Sequence, residues 1–358
     1  MNKVLFIAMN LNSGGAERQM VTIAKALKTI GHDVSFVCYA EGEFFLEELK
    51  QADIKVSFLL KKSALLRLWT FRRYIRNGHY DVVISFLETA NILNCFAAMG
   101  GHSWRIITGE RSSRKENLLS RRGRIVAALI KSYADALVCN SDNAARMWNS
   151  IYPNLSDKLR VIYNTTAIDE HLGKVGPNRN FIKVVVAASY RKEKNLLNVV
   201  KAVSMLSVTD RNKLKIEWYG ASDFEGSNYE QCKNEIVMNE LQDTIVLQSQ
   251  TSKIFDLMAS ADYVGLFSLY EGLPNVICEA MCLGKPVIMT PVSDYDKLVD
   301  GNGYLSEGFE ASSIRDVLLK ILNTPVETLE QMGRQSKEIA SHLFSESIVI
   351  DKWLKEIV

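Results

Sequence analysis

Apolar runs of strand length alternate with amphipathic stretches along most of this 358-residue chain. In the first half these runs occupy residues 3–9, 34–38, 54–58, 81–85, 105–108 and 136–139. The stretches between them carry apolar residues every three or four positions, which is the period of a helix with one buried face. This alternation predicts a parallel sheet covered by helices on both faces.

The second half of the chain repeats the pattern. Its strand-like runs are 183–188, 214–218, 244–247, 263–267 and 286–289. Three helical stretches without further strands close the chain at about 312–322, 326–343 and 346–357. The predicted fold class is therefore α/β, with two Rossmann-like, doubly wound parallel-sheet domains that face each other across a cleft.

A boundary between the two halves is expected around residues 163–180. This stretch holds Gly173, Gly176 and Pro177 and has neither a helix nor a strand period. We predict a first domain over 1–165, a linker over 166–180, and a second domain over 181–340. A final helix within 341–358 is expected to return to the first domain. Ligands of open α/β sheets bind at the carboxyl ends of strands, so the loops after strands are where function is sought.

Composition excludes several classes of protein. The chain is 47% hydrophobic and 23% charged, which is ordinary for a protein with large buried cores. Its apolar runs are shorter than the ~20 residues of a membrane span, and its start lacks the pattern of a signal peptide. Six cysteines occur without any Cys-x-x-Cys pair, so neither disulfides nor a metal site are expected. We expect a cytoplasmic protein.

Charge is distributed unevenly. Residues 1–170 contain 23 Lys and Arg against 16 Asp and Glu, whereas the remainder contains 20 against 25. Residues 61–131 hold 14 basic and 4 acidic side chains. This half either meets an anionic membrane surface or is simply a solvated positive face. Nucleic acid is not expected as a partner, because no aromatic stacking platform accompanies the charge. The amphipathic stretch 118–132 either lies flat on lipid or covers the sheet.

The loop 10–18, Asn-Leu-Asn-Ser-Gly-Gly-Ala-Glu-Arg, follows the first strand and opens the first long helix. Gly14 and Gly15 would allow positive φ angles and the close approach of a ligand to the backbone. The helix N-terminus behind them suits a phosphate. A tight strand-to-helix turn explains the two glycines equally well.

The segment 268–281, Ser-Leu-Tyr-Glu-Gly-Leu-Pro-Asn-Val-Ile-Cys-Glu-Ala-Met, is more specific. The helix after Pro274 is apolar on every side except at Glu279, so that carboxylate is expected to be buried or to face a cleft. Side chains lean toward the start of their helix, which would bring Glu279 near Glu271 and the amides of Gly272 and Leu273. Such a site suits a polyhydroxylated phosphoester. The alternative is a capping interaction by Glu279.

The loop 189–195, Ser-Tyr-Arg-Lys-Glu-Lys-Asn, follows the first strand of the second domain. Its cations, Arg191, Lys192 and Lys194, would stabilise a departing diphosphate beside a helix N-terminus. Three charges in a solvated surface loop are the plainer alternative.

Together these segments resemble the retaining glycosyltransferases of family 4, which have the GT-B fold and include enzymes of polysaccharide and O-antigen assembly. The most specific match is E-x7-E, met by Glu271 and Glu279. Secondary matches are Gly14-Gly15-Ala-Glu, Glu193-Lys-Asn and Val161-Ile-Tyr-Asn. The resemblance covers nearly the whole chain up to about residue 304.

The resemblance implies transfer of a sugar from a nucleotide-sugar, usually a UDP-sugar, with retention at the anomeric carbon. It implies that Glu279 holds the ribose hydroxyls, that Glu271 contacts the donor sugar and that Lys194 with an Arg holds the diphosphate. The catalytic candidates are Glu271, Arg191 and Lys194. The donor-binding candidates are Gly14, Gly15, Ser189, Gly220, Gly272, Leu273, Pro274, Asn275 and Glu279.

The chain departs from the family pattern at two places. Ser189 stands where the family commonly has an Arg, so Arg191 is the candidate substitute. The loop 108–113 lacks the His with which many members contact the donor sugar, and Glu110 or Arg111 is the candidate in its place. Asp294-Tyr-Asp296 has the D-x-D form of metal-dependent transferases. It lies in the wrong architecture for that use, so no metal or other cofactor is expected.

We therefore predict a glycosyltransferase of bacterial surface polysaccharide assembly that acts at the inner face of the cell membrane. Its partners would be a nucleotide-sugar donor and a glycan or lipid-linked acceptor, with peripheral association with an anionic membrane. Two alternatives remain: a non-catalytic sugar-nucleotide-binding partner subunit, and a GT-B nucleotide-sugar epimerase that acts on the donor alone.

Overall fold

The structure is a computed structural model that describes residues 1–111, 115–166, 180–223 and 226–357. The chain divides into two compact units, each with its own sheet. The first unit comprises Met1–Thr165 and Glu346–Val358, and the second comprises Thr166–Ser345. Of the predicted linker 166–180, residues 167–179 lie outside the described part of the chain.

The first unit is built on a parallel sheet. Its strands are β1 (Lys3–Ala8), β2 (Asp33–Cys38), β3 (Lys55–Phe58), β4 (Val82–Phe86), β5 (Arg105–Glu110), β6 (Ala136–Cys139) and β7 (Leu159–Val161). They are ordered β3-β2-β1-β4-β5-β6-β7. In β1, Val4 and Phe6 pack into one core cluster while Leu5 and Ile7 pack into another, so both faces of the sheet are buried.

Helices connect the strands of the first unit. They are α1 (Gly15–Thr29), α2 (Leu46–Gln51), α3 (Ala64–Asn77), α4 (Glu88–Ala98), α5 (Lys115–Leu119), α6 (Arg121–Tyr133) and α7 (Asp142–Ile151), with a 3₁₀ turn at Pro153–Leu155. The predicted helix over 118–132 is divided at Ser120, whose hydroxyl caps α6 by accepting the Gly123 N–H at 3.0 Å. Helix α6 buries Val126, Ala127 and Ile130, which confirms that it covers the sheet.

The second unit has its own parallel sheet. Its strands are β8 (Ile182–Ala187), β9 (Leu214–Gly220), β10 (Ile245–Ser249), β11 (Tyr263–Leu266), β12 (Val287–Met289) and β13 (Gly303–Leu305). They are ordered β10-β9-β8-β11-β12-β13. The helices are α8 (Leu196–Ser204), α9 (Val208–Arg211), α10 (Tyr229–Met238), α11 (Ile254–Ser260), α12 (Asn275–Cys282), α13 (Tyr295–Leu298), α14 (Ala311–Leu322) and α15 (Val326–Leu343), with a 3₁₀ turn at Lys192–Lys194.

The last helix, α16 (Glu346–Ile357), packs on the first unit. The indole of Trp353 is buried beside the Phe86 ring, with 5.8 Å between the ring centroids. Glu356 forms ion pairs with Arg105 and Arg160, each at 3.2 Å. The helix begins at Glu346, five residues after the start of the predicted returning segment at 341.

The predicted fold class is confirmed: both units are parallel α/β sheets with helices between the strands. Two strands that the apolar pattern did not reveal are Leu159–Val161 and Gly303–Leu305. Each is three residues long, half-buried and at the edge of its sheet, so neither presents an apolar run. Within the described ranges, we find no helix that combines the length and hydropathy needed to cross a bilayer.

Candidate functional site

The order of strands in the second sheet marks one crevice. The chain runs from β8 outward to β9 and β10 and then returns to place β11 on the other side of β8. In open α/β sheets, ligands bind outside the carboxyl ends of the strands at such a reversal. The loops that follow β8 and β11 are 188–195 and 267–274, so the fold brings together two of the segments that the sequence analysis singled out.

An ion pair joins these two loops. The Lys194 ammonium lies 2.5 Å from Oε1 of Glu271, and the Ser268 hydroxyl donates to the same oxygen at 2.6 Å. The backbone N–H of Leu269 donates to the Glu193 carbonyl at 2.8 Å. The two side chains are only 22% and 16% exposed, so the pair is shielded more than an ordinary surface salt bridge. It offers a cation for phosphate oxygens and a carboxylate for hydroxyl donors.

Asn195 directs Lys194 into this position. Its φ of 66° is left-handed, a conformation that Asn tolerates better than most residues. Its buried side-chain amide donates to the Phe309 carbonyl at 2.8 Å. The turn at Asn195 therefore separates the 3₁₀ segment, which ends at Lys194, from α8, which starts at Leu196. Asn195 belongs to the Glu193-Lys-Asn match, but its left-handed turn and its contact with Phe309 were not predicted.

The loop after β12 braces the Glu271 loop from its other side. Thr290 Oγ1 donates to the Ser268 carbonyl at 2.6 Å, and Ser293 Oγ donates to the Gly272 carbonyl. Ser268, Thr290 and Ser293 were not predicted, because single hydroxyl residues carry no distinctive sequence pattern. Nearby, Asp294 is buried whereas Asp296 is exposed, so the two carboxylates of the D-x-D sequence lie in different environments.

Helix α12 carries the second glutamate of the E-x7-E pattern. It begins at Asn275 with Pro274 as its N-cap residue, and the Leu273 side chain is buried. The sequence predicted a buried helix in which Glu279 is either buried or faces a cleft. One face is half-buried, and its residues are Asn275, Val276, Glu279, Cys282 and Leu283. Glu279 therefore lies on the one side of α12 that is partly accessible to solvent, and the rest of the helix is buried.

The remaining candidates of the second unit differ in setting. Ser189 is half-buried, and Arg191 is exposed with its guanidinium 3.9 Å from Glu193. Gly220 ends β9 where the backbone comes very close to β8: a Cβ at this position would lie 2.0 Å from the Ala188 carbonyl oxygen. That approach alone requires glycine there. The binding roles of Ser189, Arg191 and Gly220 stay predictions.

In the first unit, the glycine loop adopts ordinary backbone angles. Gly14 is extended, with φ −153°, and is the N-cap residue of α1, while Gly15 is its exposed first residue. Neither glycine uses the positive φ that its lack of a side chain allows. The N-terminus of a helix presents N–H groups without intrahelical partners, as an anion site would need.

Glu110 and Arg111 follow β5 in the first unit. Glu110 accepts the indole N–H of Trp148 at 3.2 Å and the Arg111 backbone N–H at 2.9 Å. The Arg111 guanidinium lies 3.7 Å from the centroid of the Phe86 ring and donates from Nη1 to Asn164 at 3.0 Å. Among the described residues, its buried Nε and Nη2 have no hydrogen-bond partner. Burial lowers the pKa of Arg111 to about 10.

Family comparisons agree with this arrangement. The model described as Glycosyltransferase Family 4 matches residues 13–170, and the model described as Glycosyl transferases group 1 matches residues 167–339. The chain belongs to glycosyltransferase family 4. The two matches together include the glycine loop, the Lys194–Glu271 pair and Glu279. The predicted family is therefore confirmed.

Relatives of this family 4 glycosyltransferase extend over most of its length. An uncharacterized glycosyltransferase of Haemophilus influenzae is 26% identical and aligned over 99% of both chains. A Campylobacter jejuni enzyme, named as an N-acetylgalactosaminyltransferase acting on a glycan linked to diphospho-undecaprenol, is 25% identical over 78% of this chain and 77% of its own. Among solved structures, Anabaena HepE in complex with UDP and glucose has a TM-score of 0.84, 20% identity and 99% coverage of both chains. That likeness establishes the GT-B fold.

Proposed function

We propose that this glycosyltransferase moves a sugar from a UDP-sugar to a hydroxyl of a lipid-linked, growing glycan in bacterial surface polysaccharide assembly. The observation that carries the proposal is the Lys194–Glu271 pair at the strand reversal of the second sheet. The relatives' names point the same way. HepE was crystallised with UDP and glucose, and the Campylobacter enzyme is named for a diphospho-undecaprenol substrate. A relative from Erwinia amylovora is named for amylovoran biosynthesis.

Each candidate side chain has a task in this proposal. Lys194, with Arg191, binds the diphosphate of the donor, and Glu271 with the amides of Gly272 and Leu273 contacts its sugar. Glu279 accepts hydrogen bonds from the two ribose hydroxyls. Ser189, Gly220, Pro274 and Asn275 shape the same donor site, and Gly14 and Gly15 are the candidates for a phosphate contact at the start of α1. Glu110 and Arg111 serve the sugar or the acceptor.

The reaction retains the configuration of the anomeric carbon. The acceptor hydroxyl attacks on the face from which the diphosphate leaves, so the new bond to oxygen replaces the broken one on the same side. The departing phosphate oxygen takes the electron pair of the broken bond and accepts the hydroxyl proton. Lys194 lowers the barrier because it neutralises negative charge as that charge develops. The reaction is expected to need no metal, so chelation with EDTA should leave the rate unchanged.

The Glu279→Ala variant tests the donor site directly. Losing a hydrogen bond to a charged group costs about 1.5–3 kcal/mol, so UDP affinity by calorimetry should fall by roughly 10- to 100-fold. Glu235→Ala is the matched control, since Glu235 is also a half-buried helical glutamate of the second unit but lies on α10. Equal UDP affinity in Glu279→Ala and wild type would reject the assigned site.

The donor and the reaction type are tested by a screen of UDP-sugars. A ligand at about 100 times its dissociation constant stabilises a protein by about 2.7 kcal/mol, which a thermal-shift measurement detects. The stabilising donor is then incubated with and without a lipid-linked acceptor, and the anomeric configuration of the product is determined by NMR. UDP binding without turnover would identify a non-catalytic subunit. Product formed from the donor alone would identify an epimerase, and an inverted product would contradict retention.

A further inference from the structure

The first two turns of α3 present large apolar side chains to solvent. Leu65, Leu66 and Trp69 are 70%, 61% and 61% exposed, and we call these three residues the α3 patch. Leu65 and Leu66 both lie on the side of the helix that carries Trp69, because positions three and four residues apart are neighbours on a helix surface. The buried residues of α3, Phe71 and Ile75, occupy a different face. A helix that covers a sheet normally exposes polar residues, so the patch needs another explanation.

Trp69 is held in this exposed position. Its indole meets the Phe96 ring of α4 edge to face, with 5.6 Å between centroids. Of the five tryptophans in the chain, Trp104, Trp148, Trp218 and Trp353 are buried. An indole that has an apolar body and a polar N–H is typical of sites between water and lipid.

All charged residues close to the patch in the sequence are basic. Residues 54–80 contain seven Lys and Arg and no Asp or Glu. Lys61 and Lys62 immediately precede α3 and are exposed, and Arg73 is exposed on the patch side of the helix two turns later. Each basic residue close to an anionic bilayer contributes about 1 kcal/mol of attraction. An apolar patch whose helix and preceding loop carry only basic charges therefore complements a surface of anionic lipid headgroups.

The patch lies at the functional edge of the first sheet. Arg67, between Leu66 and Trp69 in sequence, places its guanidinium 5.3 Å from the ring centroid of Tyr39, which follows the carboxyl end of β2. The strand order of this sheet reverses between β1 and β4, whose carboxyl ends lie at the same edge. A bilayer that contacts the patch would therefore lie beside the edge where ligands of this unit bind.

We propose that the α3 patch, with Lys61 and Lys62, docks the first unit on an anionic phospholipid bilayer. Leu65, Leu66 and Trp69 insert into the boundary between headgroups and acyl chains, and the lysines bind lipid phosphates. Residues 118–132 were the stretch that the sequence offered for contact with lipid, but helix α6 within it buries its apolar side against the sheet. The inference deepens the proposed function, on which it rests for the lipid-linked acceptor, because docking would hold the acceptor edge near the membrane.

Cosedimentation of the full chain with lipid vesicles tests the inference. We expect binding to vesicles of phosphatidylcholine mixed with phosphatidylglycerol, and at least about 10-fold weaker binding to phosphatidylcholine alone. The triple variant Leu65→Ser, Leu66→Ser, Trp69→Ser should lose at least about 10-fold in affinity for the mixed vesicles. Lys61→Glu with Lys62→Glu should do the same. A matched control replaces three similarly exposed apolar residues of the second unit by Ser, namely Val208, Val237 and Met238.

Trp69 supplies a readout of its own. Its fluorescence should shift to shorter wavelength and become protected from iodide on mixed vesicles, and Trp69→Phe should abolish this change. The inference would be overturned if the wild-type chain failed to bind the mixed vesicles, or if the triple variant bound them as tightly as wild type. A concentration-dependent dimer that the triple variant abolishes would also overturn it, since the patch would then join two copies. UDP binding reports separately on the proposed function: its loss with vesicle binding intact would reject only the donor site.

Discussion

The carboxyl edges of the two sheets differ in how the protein stabilises their charged side chains. In the second unit, Lys194 and Glu271 neutralise one another and are held by Ser268 and by the backbone of their loops. In the first unit, the Arg111 guanidinium stacks on the Phe86 ring. Its buried Nε and Nη2 atoms have no hydrogen-bond partner among the described residues. Pairing makes a charge stable in one position, whereas an unmatched buried donor costs free energy. An anion bound at the first edge would supply the acceptors that Nε and Nη2 of Arg111 lack among the described residues.

The largest effect should come from breaking the paired edge. Lys194→Met removes the cation beside the donor diphosphate, and we expect kcat/KM for transfer to fall by about 10²- to 10³-fold. Steady-state kinetics with a UDP-sugar measures this. Lys192→Met is the matched control, because Lys192 belongs to the same 3₁₀ turn but is exposed. If Lys194→Met turns over at the wild-type rate, Lys194 has no role in the reaction.

Glycines at the two edges should differ in how they tolerate a methyl group. A Cβ at Gly220 would meet a backbone carbonyl, so Gly220→Ala should lower the free energy of unfolding by about 1–3 kcal/mol. A Cβ at Gly14 would meet only the flexible side chain of Glu17, so Gly14→Ala should cost less than about 1 kcal/mol. Urea denaturation of both variants provides the comparison. A larger loss in Gly14→Ala would contradict it.

The smallest change in stability is expected at Arg111. Arg111→Met keeps an apolar contact with Phe86 and removes the unmatched N–H groups, but it also removes the hydrogen bond to Asn164, so the free energy of unfolding should stay within about 1 kcal/mol of wild type. If Arg111 binds an anionic group of the acceptor, the KM for that acceptor should rise in the same variant. Thermal unfolding and acceptor titration measure the two effects separately.

Arg72→Met is the control for this comparison. Arg72 also stacks on a phenylalanine, Phe96, but donates to two backbone carbonyls at 3.1 and 2.9 Å. Removing it should destabilise the first unit by about 1–3 kcal/mol, because two hydrogen bonds from a charged donor are lost. A greater loss of stability in Arg111→Met than in Arg72→Met would show that the Arg111 guanidinium is satisfied after all.

Much of the architecture could be predicted because strands and helices differ in the local period of their apolar residues. Apolar runs such as β1 and β8 are buried on both sides, so they appear as continuous strands in the sequence. Edge strands β7 and β13 are short and half-buried, and they were missed for that reason. The E-x7-E pattern and the cationic loop belong to segments that the structure brings together through the Lys194–Glu271 pair. Their partners Ser268 and Ser293, and the left-handed turn at Asn195, were not recognisable from their own sequence surroundings.

The sequence by itself determined the α/β class and the family, and it predicted which loops bind the donor, since each depends on residues close together in the chain. Tertiary structure alone decided that Lys194 pairs with Glu271, which is 77 residues away, and that Gly220 must leave room for a neighbouring carbonyl. It also decided which face of α12 stays accessible and that Leu65, Leu66 and Trp69 remain at the surface. These outcomes depend on which elements pack against each residue, and no local window of sequence contains that information.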